Sequence, residues 1–303
     1  MRLSFIVALP HILFSKSPSQ TISRSFAMSA SSSPPPPPPS SGVLSWEQLQ
    51  SITNSNFNPP DVLRGPANAH THTRLFDSKD GTIPNVTLYR DNHYWCPYCE
   101  KLQLYLETKR IPYSIKLVTM FCYGEKESWY KRLVPSGMLP TLSLTPGGRI
   151  ISESDDIMIA LENTYGPLQE KKGMNDDEVI IHRKRERKLF RAWCNWLCRP
   201  SRSPEEEVHN KNVFVTVAKE VEDNMAGCFM LGEEFSTADI VYIPYLERMN
   251  ASLFYYKGYD LRASHPKLHE WFSNLEKLDS YRGIIADFST HAHDLPPQMV
   301  SAR

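Results

Sequence analysis

The sequence predicts an α/β domain over residues 84–167 with the element order β-α-β-α-β-β-α, followed by an all-helical domain over residues 168–303. Three observations support this division. Short β-branched and aromatic runs alternate with helix-permissive stretches up to Gly166-Pro167. From Leu168 onward the strand pattern ends, and apolar residues recur at helical spacing instead. The length of 303 residues is also sufficient for two ordinary domains.

The α/β domain opens with a strand and a helix that are joined by two cysteines. Residues 86–90 are β-branched and aromatic, as expected of a buried strand, and residues 100–109 contain no helix breaker. Pro97 suits the first helical position, where its missing N–H costs nothing. Cys96 then falls at the N-cap, beside free backbone N–H groups and the positive end of the helix dipole.

The remaining elements follow in order along the chain. Alternation over residues 113–119 predicts a second strand, and residues 127–133 are predicted to form a helix. Residues 141–144 and 149–151 are predicted to form a hairpin, and residues 154–165 a further helix. In the second domain, helices are predicted over residues 176–197, 211–225 and 267–278. Ser236 and Asp239 have the spacing of a capping box at the start of a further helix.

Two thiols three positions apart at the start of a helix predict redox or thiol-transfer chemistry. The N-cap position favours the thiolate form of Cys96, and the thiolate is the nucleophile. Cys99 lies one turn further on and can reach the same sulfur to form a disulfide. Half of a zinc site and an iron–sulfur cluster bridged between subunits remain alternatives. The other four cysteines are predicted to be buried small apolar residues: Cys122, Cys194, Cys198 and Cys228.

The composition argues against several classes of partner. The 34 basic and 34 acidic residues give no net charge, so no global field attracts nucleic acid or an anionic membrane. No run approaches the roughly 18 apolar residues of a membrane span, and six irregularly spaced cysteines do not suit a secreted disulfide scaffold. The basic run at residues 182–188 is predicted to be a solvated helix face, and His291-Ala-His293 a mobile tail.

The first 45 residues differ in composition from the rest of the chain. They contain no Asp or Glu, three basic residues and thirteen serines, which is typical of an organelle transit peptide. Six consecutive prolines within residues 31–41 predict a polyproline linker. We therefore expect a plastid (chloroplast) or mitochondrial location; secretion and a cytoplasmic location, the latter through initiation at Met28, are the alternatives. Residues 46–83 are predicted to be an N-terminal extension with few periodic apolar positions.

Taken together, these features resemble the cysteine-type glutathione transferases of the omega, lambda and dehydroascorbate-reductase classes, and the Cys-Pro-Tyr-Cys motif resembles that of glutaredoxins. The resemblance covers about residues 84–290. It implies a thioredoxin-like N-terminal domain and an all-α C-terminal domain. It also implies that Cys96 forms a mixed disulfide with glutathione, which Cys99 or a second glutathione then resolves.

The same resemblance implies a binding site for glutathione. Leu139 and a cis Pro140 match the loop that pairs with the glutathione backbone. Glu153 and Ser154 match the pair at a helix N-terminus that holds the γ-glutamyl carboxylate, and Lys126 has the spacing of the lysine that meets the glycyl carboxylate. The capping box at Ser236 matches a folding element of the second domain.

The function implied is that of a glutathione-dependent thiol transferase or reductase. Glutathione would be the co-substrate, with no metal and no permanently bound cofactor, and the acceptor would be a small molecule or a glutathionylated thiol. The chain would be a monomer or homodimer that binds no nucleic acid. The alternatives are a glutathione-conjugating transferase and a non-catalytic ligand-binding or partner-binding protein. Four aromatic residues could line an acceptor site or belong to the core: Phe190, Trp193, Trp196 and Tyr245.

Overall fold

The computed structural model describes residues 61–68 and 71–296, which all belong to one compact unit. The predicted leader and linker (residues 1–45) and the first part of the predicted extension (residues 46–60) lie outside the described residues. Within the described part, no helix combines the length and the apolar character needed to cross a bilayer.

A five-stranded mixed sheet lies at the centre of the first domain. Its strands are β1 (Thr73–Arg74), β2 (Val86–Asp91), β3 (Tyr113–Val118), β4 (Thr141–Ser143) and β5 (Ile150–Ser152). The spatial order is β1-β3-β2-β4-β5, with β2 and β3 parallel and the other neighbours antiparallel. The helices of this domain are α1 (Pro97–Thr108), α2 (Ser128–Leu133) and α3 (Ser154–Tyr165). The predicted order β-α-β-α-β-β-α is confirmed.

The central strand β2 determines where the two cysteines lie. Leu88 pairs with Ile115 of β3 on one side and with Leu142 of β4 on the other, and all three side chains are buried. Because both edges of β2 are hydrogen-bonded, the chain leaves its carboxyl end in a fixed position after Asp91. Helix α1 then packs its buried leucines against the sheet, which places the cysteine turn between them.

Strand β1 is a structural element that the sequence did not indicate. It comes from the predicted extension and pairs antiparallel with β3. Its Arg74 is buried, and the guanidinium donates to both carboxylate oxygens of Glu107 on α1 at 2.8 and 3.0 Å. The same group donates to the carbonyls of Val62 and Gly65. This ion pair and the burial of Leu75 and Phe76 directly after β1 hold these residues on the sheet.

The second domain is helical throughout its described residues, as predicted. The helices are α4 (Asp177–Trp193), α5 (Pro204–Asp223), α6 (Thr237–Lys257), α7 (Leu261–Ser264), α8 (Pro266–Leu275), α9 (Asp279–Arg282) and α10 (Phe288–His293). The capping box is present at the start of α6. Its Asp239 also accepts hydrogen bonds from the indole of Trp271 at 2.7 Å and the backbone N–H of Met230 at 2.8 Å, so it anchors the domain core.

Two helix boundaries and one predicted tail differ from expectation. The first long helix ends in a π-helical turn at Cys194–Cys198. Helix α5 begins at Pro204, because Ser203 caps the backbone N–H of Glu206 at 3.2 Å. The expectation of a mobile tail at residues 291–293 is wrong for His291, whose side chain is buried on α10 beside the carboxylate of Glu247 at 3.3 Å.

Candidate active site

The turn between β2 and α1 places two thiols together. Cys96 is the N-cap of α1, with φ −62° and ψ 114°, and Pro97 is the first helical residue, as predicted. The Cys96 side chain is 5% exposed and that of Cys99 is fully buried. Neither is in a disulfide. The helix N-terminus and its dipole therefore act on a sulfur that is almost completely shielded from water.

Asp91 holds the backbone of this turn. Its Oδ2 accepts hydrogen bonds from the backbone N–H groups of Trp95 at 2.6 Å and Cys96 at 3.1 Å. One oxygen of Asp91 and the two sulfur atoms of Cys96 and Cys99 lie within 4.8 Å of one another. The buried guanidinium of Arg90 donates to Asp91 Oδ1 at 3.2 Å and lies 3.9 Å from the ring centroid of Tyr94. Sequence reasoning missed both Arg90 and Asp91.

This cluster is a poor site for a metal ion. A carboxylate and two thiolates are chemically suitable zinc ligands. However, Asp91 already accepts three hydrogen bonds, and the buried cation of Arg90 adjoins it. A fixed positive charge beside the donor set opposes the binding of a divalent cation.

The Cys99 thiol is held in its protonated form. Burial raises the pKa of Cys99 well above its usual range, and its hydrogen bond to Cys96 acts in the same direction. Cys99 therefore offers an S–H donor to the sulfur of Cys96, which is the more exposed of the two residues.

Lys126 lies within the same site. Its side chain is buried, its Nζ donates to the carbonyl of Thr119 at 2.7 Å, and it sits 4.6 Å from the ring centroid of Phe121. Burial lowers the pKa of the Lys126 ammonium, while nearby Cys99 opposes that change. The predicted lysine is therefore present as a partly desolvated cation near the thiols.

The Leu139–Pro140 peptide bond is cis, as expected from the resemblance. Leu139 is half-buried, and its side chain packs against a small apolar cluster that includes Tyr130 and Val118. The Tyr130 hydroxyl donates to the carbonyl of Met138 at 2.6 Å, which fixes the loop before β4.

Glu153 and Ser154 lie at the N-terminus of α3, as predicted. Ser154 is the first helical residue and is buried. Glu153 has φ 68° and ψ 115°, a left-handed conformation that is strained for a residue with a side chain. No side chain caps this helix, so its first N–H groups have no intrahelical acceptor. They form an anion-binding position.

Asp155 ties the start of α3 to two other helices. Its carboxylate forms ion pairs with Lys101 of α1 and with Arg183 of α4, the latter at 2.5 Å. Burial would raise the pKa of Asp155, but these two cations lower it to about 2. The N-terminus of α3 is thus held in register with the cysteine helix. Because Arg183 is engaged here, the basic run is not simply a solvated face.

Aromatic side chains form a wall beside the thiols. Tyr98, between the two cysteines, is 37% exposed and contacts Tyr245 edge-on with ring centroids 5.9 Å apart. The guanidinium of Arg187 lies over the rings of Tyr245 at 4.4 Å and Phe190 at 4.7 Å. Trp193, Trp196 and Tyr245 are buried, whereas Phe190 is half-buried. Three of the four aromatic residues therefore belong to the core.

The helical domain also contacts the cysteine turn directly. Arg248 of α6 is buried, and its Nε donates to the carbonyl of Trp95 at 2.9 Å. A second nitrogen of the same guanidinium donates to Glu100 of α1 at 2.8 Å. Glu247 completes the cluster, 4.0 Å from Arg248. Burial and the adjacent Glu247 carboxylate raise the pKa of Glu100 to about 8, so Glu100 is mostly protonated at neutral pH.

Replacing Glu100 with glutamine should stabilise the protein near neutral pH, by roughly 1–3 kcal/mol. A pKa raised on folding means that the folded state binds the proton more tightly, so stability is greatest at low pH. It then falls as pH rises from the ordinary carboxyl range to about 8. Glutamine mimics the protonated form and should flatten that fall, as measured by urea unfolding at several pH values. Exposed Glu125 offers the control Glu125→Gln, and equal pH dependence in both variants would contradict the assignment.

Comparison with known protein families supports the interpretation of the fold. Residues 95–164 match the family model described as "Glutathione S-transferase, N-terminal domain", and residues 184–278 match "Glutathione S-transferase, C-terminal domain". The two models together match more than half of the chain, and their boundary falls between the α/β and helical domains. The fold and the two matched domains define an enzyme of the two-domain transferase class. The chain belongs to the glutathione transferase family.

Relatives and solved structures agree with this assignment. The chain is 26% identical over 197 residues to "Glutathione S-transferase DHAR3, chloroplastic" of Arabidopsis thaliana, covering 63% of this chain and 69% of the relative. It is 29% identical over 194 residues to "Glutathione S-transferase L3" of the same plant, covering 62% of this chain and 77% of the relative. Thus the relatives include both dehydroascorbate-reductase-type and lambda-type proteins.

Two solved structures share the fold. Glutathione transferase Omega 3C from Trametes versicolor aligns with a TM-score of 0.61 at 22% identity, covering 72% of this chain and 91% of that one. The dehydroascorbate reductase of Chlamydomonas reinhardtii aligns with a TM-score of 0.57 at 19% identity, covering 70% of this chain and 97% of that one. These matches establish likeness of fold.

Proposed function

We propose that the protein is a glutathione-dependent thiol transferase or reductase that works through a mixed disulfide on Cys96. The observation that carries the proposal is the paired state of the two thiols. Cys96 caps a helix N-terminus, and the buried, protonated Cys99 donates toward its sulfur. Relatives of the dehydroascorbate-reductase and lambda types support this class of activity. Glutathione is the proposed co-substrate.

The proposed reaction has two thiol–disulfide exchanges. The Cys96 thiolate attacks the glutathionyl sulfur of a mixed disulfide, the S–S bond breaks, and the acceptor leaves as a thiolate that takes up a proton. A glutathione thiolate then attacks the same glutathionyl sulfur, which releases glutathione disulfide and restores the Cys96 thiolate. Alternatively, Cys99 attacks the Cys96 sulfur, which releases glutathione and leaves an intramolecular disulfide.

The proposed glutathione site uses three parts of the α/β domain. The uncapped N-terminus of α3 at Ser154 would receive the γ-glutamyl carboxylate. The backbone of Leu139 would pair with the cysteinyl residue of glutathione. Lys126 would exchange its hydrogen bond with the Thr119 carbonyl for one with the glycyl carboxylate, a stronger, charge-assisted interaction.

We place the protein in the plastid on two grounds. The acid-free, serine-rich first 45 residues are typical of a transit peptide. One relative is described as chloroplastic. The acceptor proposed is a small molecule or a glutathionylated thiol.

Mixing the purified protein with glutathione disulfide tests the proposal. Both cysteines lie in the tryptic peptide of residues 91–101, so its mass reports their state. We expect a Cys96–Cys99 disulfide in the wild type and a single glutathionyl group on Cys96 in Cys99→Ser, because the resolving thiol is then missing. Cys228→Ser is the control and should match the wild type. An unmodified peptide 91–101 in Cys99→Ser would rule out Cys96 as the acceptor of glutathione.

Loss of either proposed carboxylate contact should weaken glutathione binding. A charge-assisted hydrogen bond contributes about 1.5–3 kcal/mol, or roughly ten- to a hundred-fold in affinity. Ser154→Ala and Lys126→Ala should therefore raise the KM for glutathione by that factor in steady-state kinetics. Lys131→Ala is the matched control, because Lys131 is an exposed lysine on α2 paired with Glu125. Calorimetric affinities equal to those of the control would place glutathione elsewhere.

A further inference from the structure

A second pair of thiols lies in the helical domain. Cys194 begins and Cys198 ends the π-helical turn that follows α4. Cys194 is half-buried, Cys198 is buried, and neither is in a disulfide. The expectation of four buried apolar cysteines therefore holds for Cys198, whereas Cys194, Cys122 and Cys228 are each partly accessible.

The π-helical turn brings these two thiols face to face. A π-helix closes its hydrogen bonds between residues i and i+5, so it has more residues per turn than an α-helix. As a result, Cys198, four positions after Cys194, lies more nearly above Cys194 along the helix axis than it would in an α-helix. A hydrogen-bond interaction with the Cys198 thiol lowers the pKa of Cys194, and the pKa of Cys198 is correspondingly raised. The two thiols therefore interact, and Cys194 is the one that loses its proton more readily.

Positive charge surrounds the more exposed thiol. The guanidiniums of Arg187 and Arg199 both stabilise a thiolate on Cys194. Glu186 acts against them, but its carboxylate is engaged in a two-bond ion pair with Arg187 at 2.5 and 2.6 Å. Cys194 also packs against the core, but two cations beside a partly accessible sulfur are typical surroundings of a reactive cysteine.

Cys194 lies on the same side of the helix as two residues of the aromatic wall. Arg187, Phe190 and Cys194 are three and four residues apart, so they lie on one side of the helix. On that side, Arg187 and Phe190 contact Tyr245, whose ring contacts Tyr98 between the first two cysteines. Cys194 therefore continues the face of α4 that borders the candidate active site.

We infer that Cys194 and Cys198 form a second redox-active dithiol that reacts with glutathione disulfide independently of Cys96. Cys194 is the entry thiol, because it is accessible and cationic groups adjoin it. Cys198 is the resolving thiol, because it is buried directly against Cys194.

The proposed reaction consumes one glutathione disulfide. The Cys194 thiolate attacks one of its sulfur atoms, a Cys194–glutathione bond forms, and a glutathione thiolate leaves and takes up a proton. Cys198 then loses its proton and attacks the Cys194 sulfur, which forms the Cys194–Cys198 disulfide and expels the second glutathione. Two protein thiols are oxidised, and one glutathione disulfide is reduced to two glutathione molecules.

The test uses the double variant Cys96→Ser/Cys99→Ser, so that its outcome does not depend on the first site. Cys194 and Cys198 fall in one tryptic peptide, residues 192–202. After incubation with glutathione disulfide, we expect this peptide to be lighter by two hydrogen atoms. Adding Cys198→Ser should replace the disulfide with a single glutathionyl group on Cys194. Adding Cys194→Ser instead should leave the peptide unmodified.

Cys228 is the internal control, since it is a partly accessible thiol whose pKa is raised by burial and by its contact with Glu233. The inference is overturned if the 192–202 peptide stays reduced, or if Cys194 and Cys228 acquire glutathione at the same rate. The wild-type chain provides a measurement that needs no substitution. In the wild-type chain, peptide 192–202 should carry the disulfide after oxidation and should lose it when excess glutathione is added. A peptide that stays reduced after oxidation contradicts the inference.

Discussion

Replacing Cys96 with serine should abolish reduction of a small glutathione mixed disulfide, with kcat/KM falling by several orders of magnitude. A serine hydroxyl at this N-cap does not ionise near neutral pH and cannot form the covalent sulfur intermediate, so the whole exchange is lost. Binding of glutathione should change little, because its proposed contacts lie on α3, the Leu139 loop and Lys126. The measurement is a coupled assay with a glutathionylated small thiol.

Cys228→Ser serves as the control and should keep full activity, since Cys228 lies in the helical domain away from the dithiol turn. A Cys96→Ser variant whose activity lies within a factor of about two of the wild type would refute the assignment.

The two rival functions would give different experimental results. Conjugation of glutathione to aryl halides that survives loss of Cys96 would indicate a conjugating transferase. Retention on immobilised glutathione without turnover in the wild type would indicate a binding protein.

Replacing Arg248 with methionine should cost about 3–5 kcal/mol of folding stability, because removing one partner of a buried charge cluster leaves the other uncompensated. The guanidinium is 2% exposed and is bonded to Trp95, Glu100 and the Pro244 carbonyl. Since each kcal/mol shifts the Tm of a chain of this size by about 2–4 °C, the Tm should fall by roughly 6–20 °C. Thermal unfolding followed by circular dichroism measures this.

The matched control is Arg282→Ala. Its guanidinium forms an ion pair with Asp279 on the surface, where both side chains are more than half exposed. Such pairs contribute about 0–1 kcal/mol. Arg248→Lys should recover part of the stability, because one ammonium can replace the charge but cannot make all four hydrogen bonds of the guanidinium. Equal melting temperatures for Arg248→Met and Arg282→Ala would show that the cluster does not hold the domains together.

The parts of the site that follow from local chemistry could be predicted from the sequence. A helix N-cap is a local feature, so Cys96 and Pro97 were assigned from their immediate neighbours, and the capping box at Ser236 likewise. The apolar patterns also sufficed for the element order of residues 84–167 and for the four longest helices of the second domain, but not for β1 or the short helices. In each case, residues a few positions apart contain all the information.

The parts that depend on distant contacts could not be predicted in this way. Arg90, Asp91 and Arg248 resemble ordinary charged residues in the sequence, and only the fold shows that they are buried around the cysteine turn. Asp91 did carry a weak signal, since an aspartate directly after a strand often accepts from backbone N–H groups a few residues on. Arg248 carried none, because its partners lie about 150 positions earlier in the chain.

The ion pair between Arg74 and Glu107 has a consequence for the maturation of the chain. The Arg74 guanidinium also requires the carbonyls of Val62 and Gly65, so this stretch is an integral part of the folded enzyme. Under the plastid location that we propose, an import protease therefore has to cut on the N-terminal side of Asp61. A cut further along the chain would remove acceptors from a buried cation and free the edge of β3. The contacts of Arg74 therefore limit how many residues can be removed from the N-terminus of the precursor.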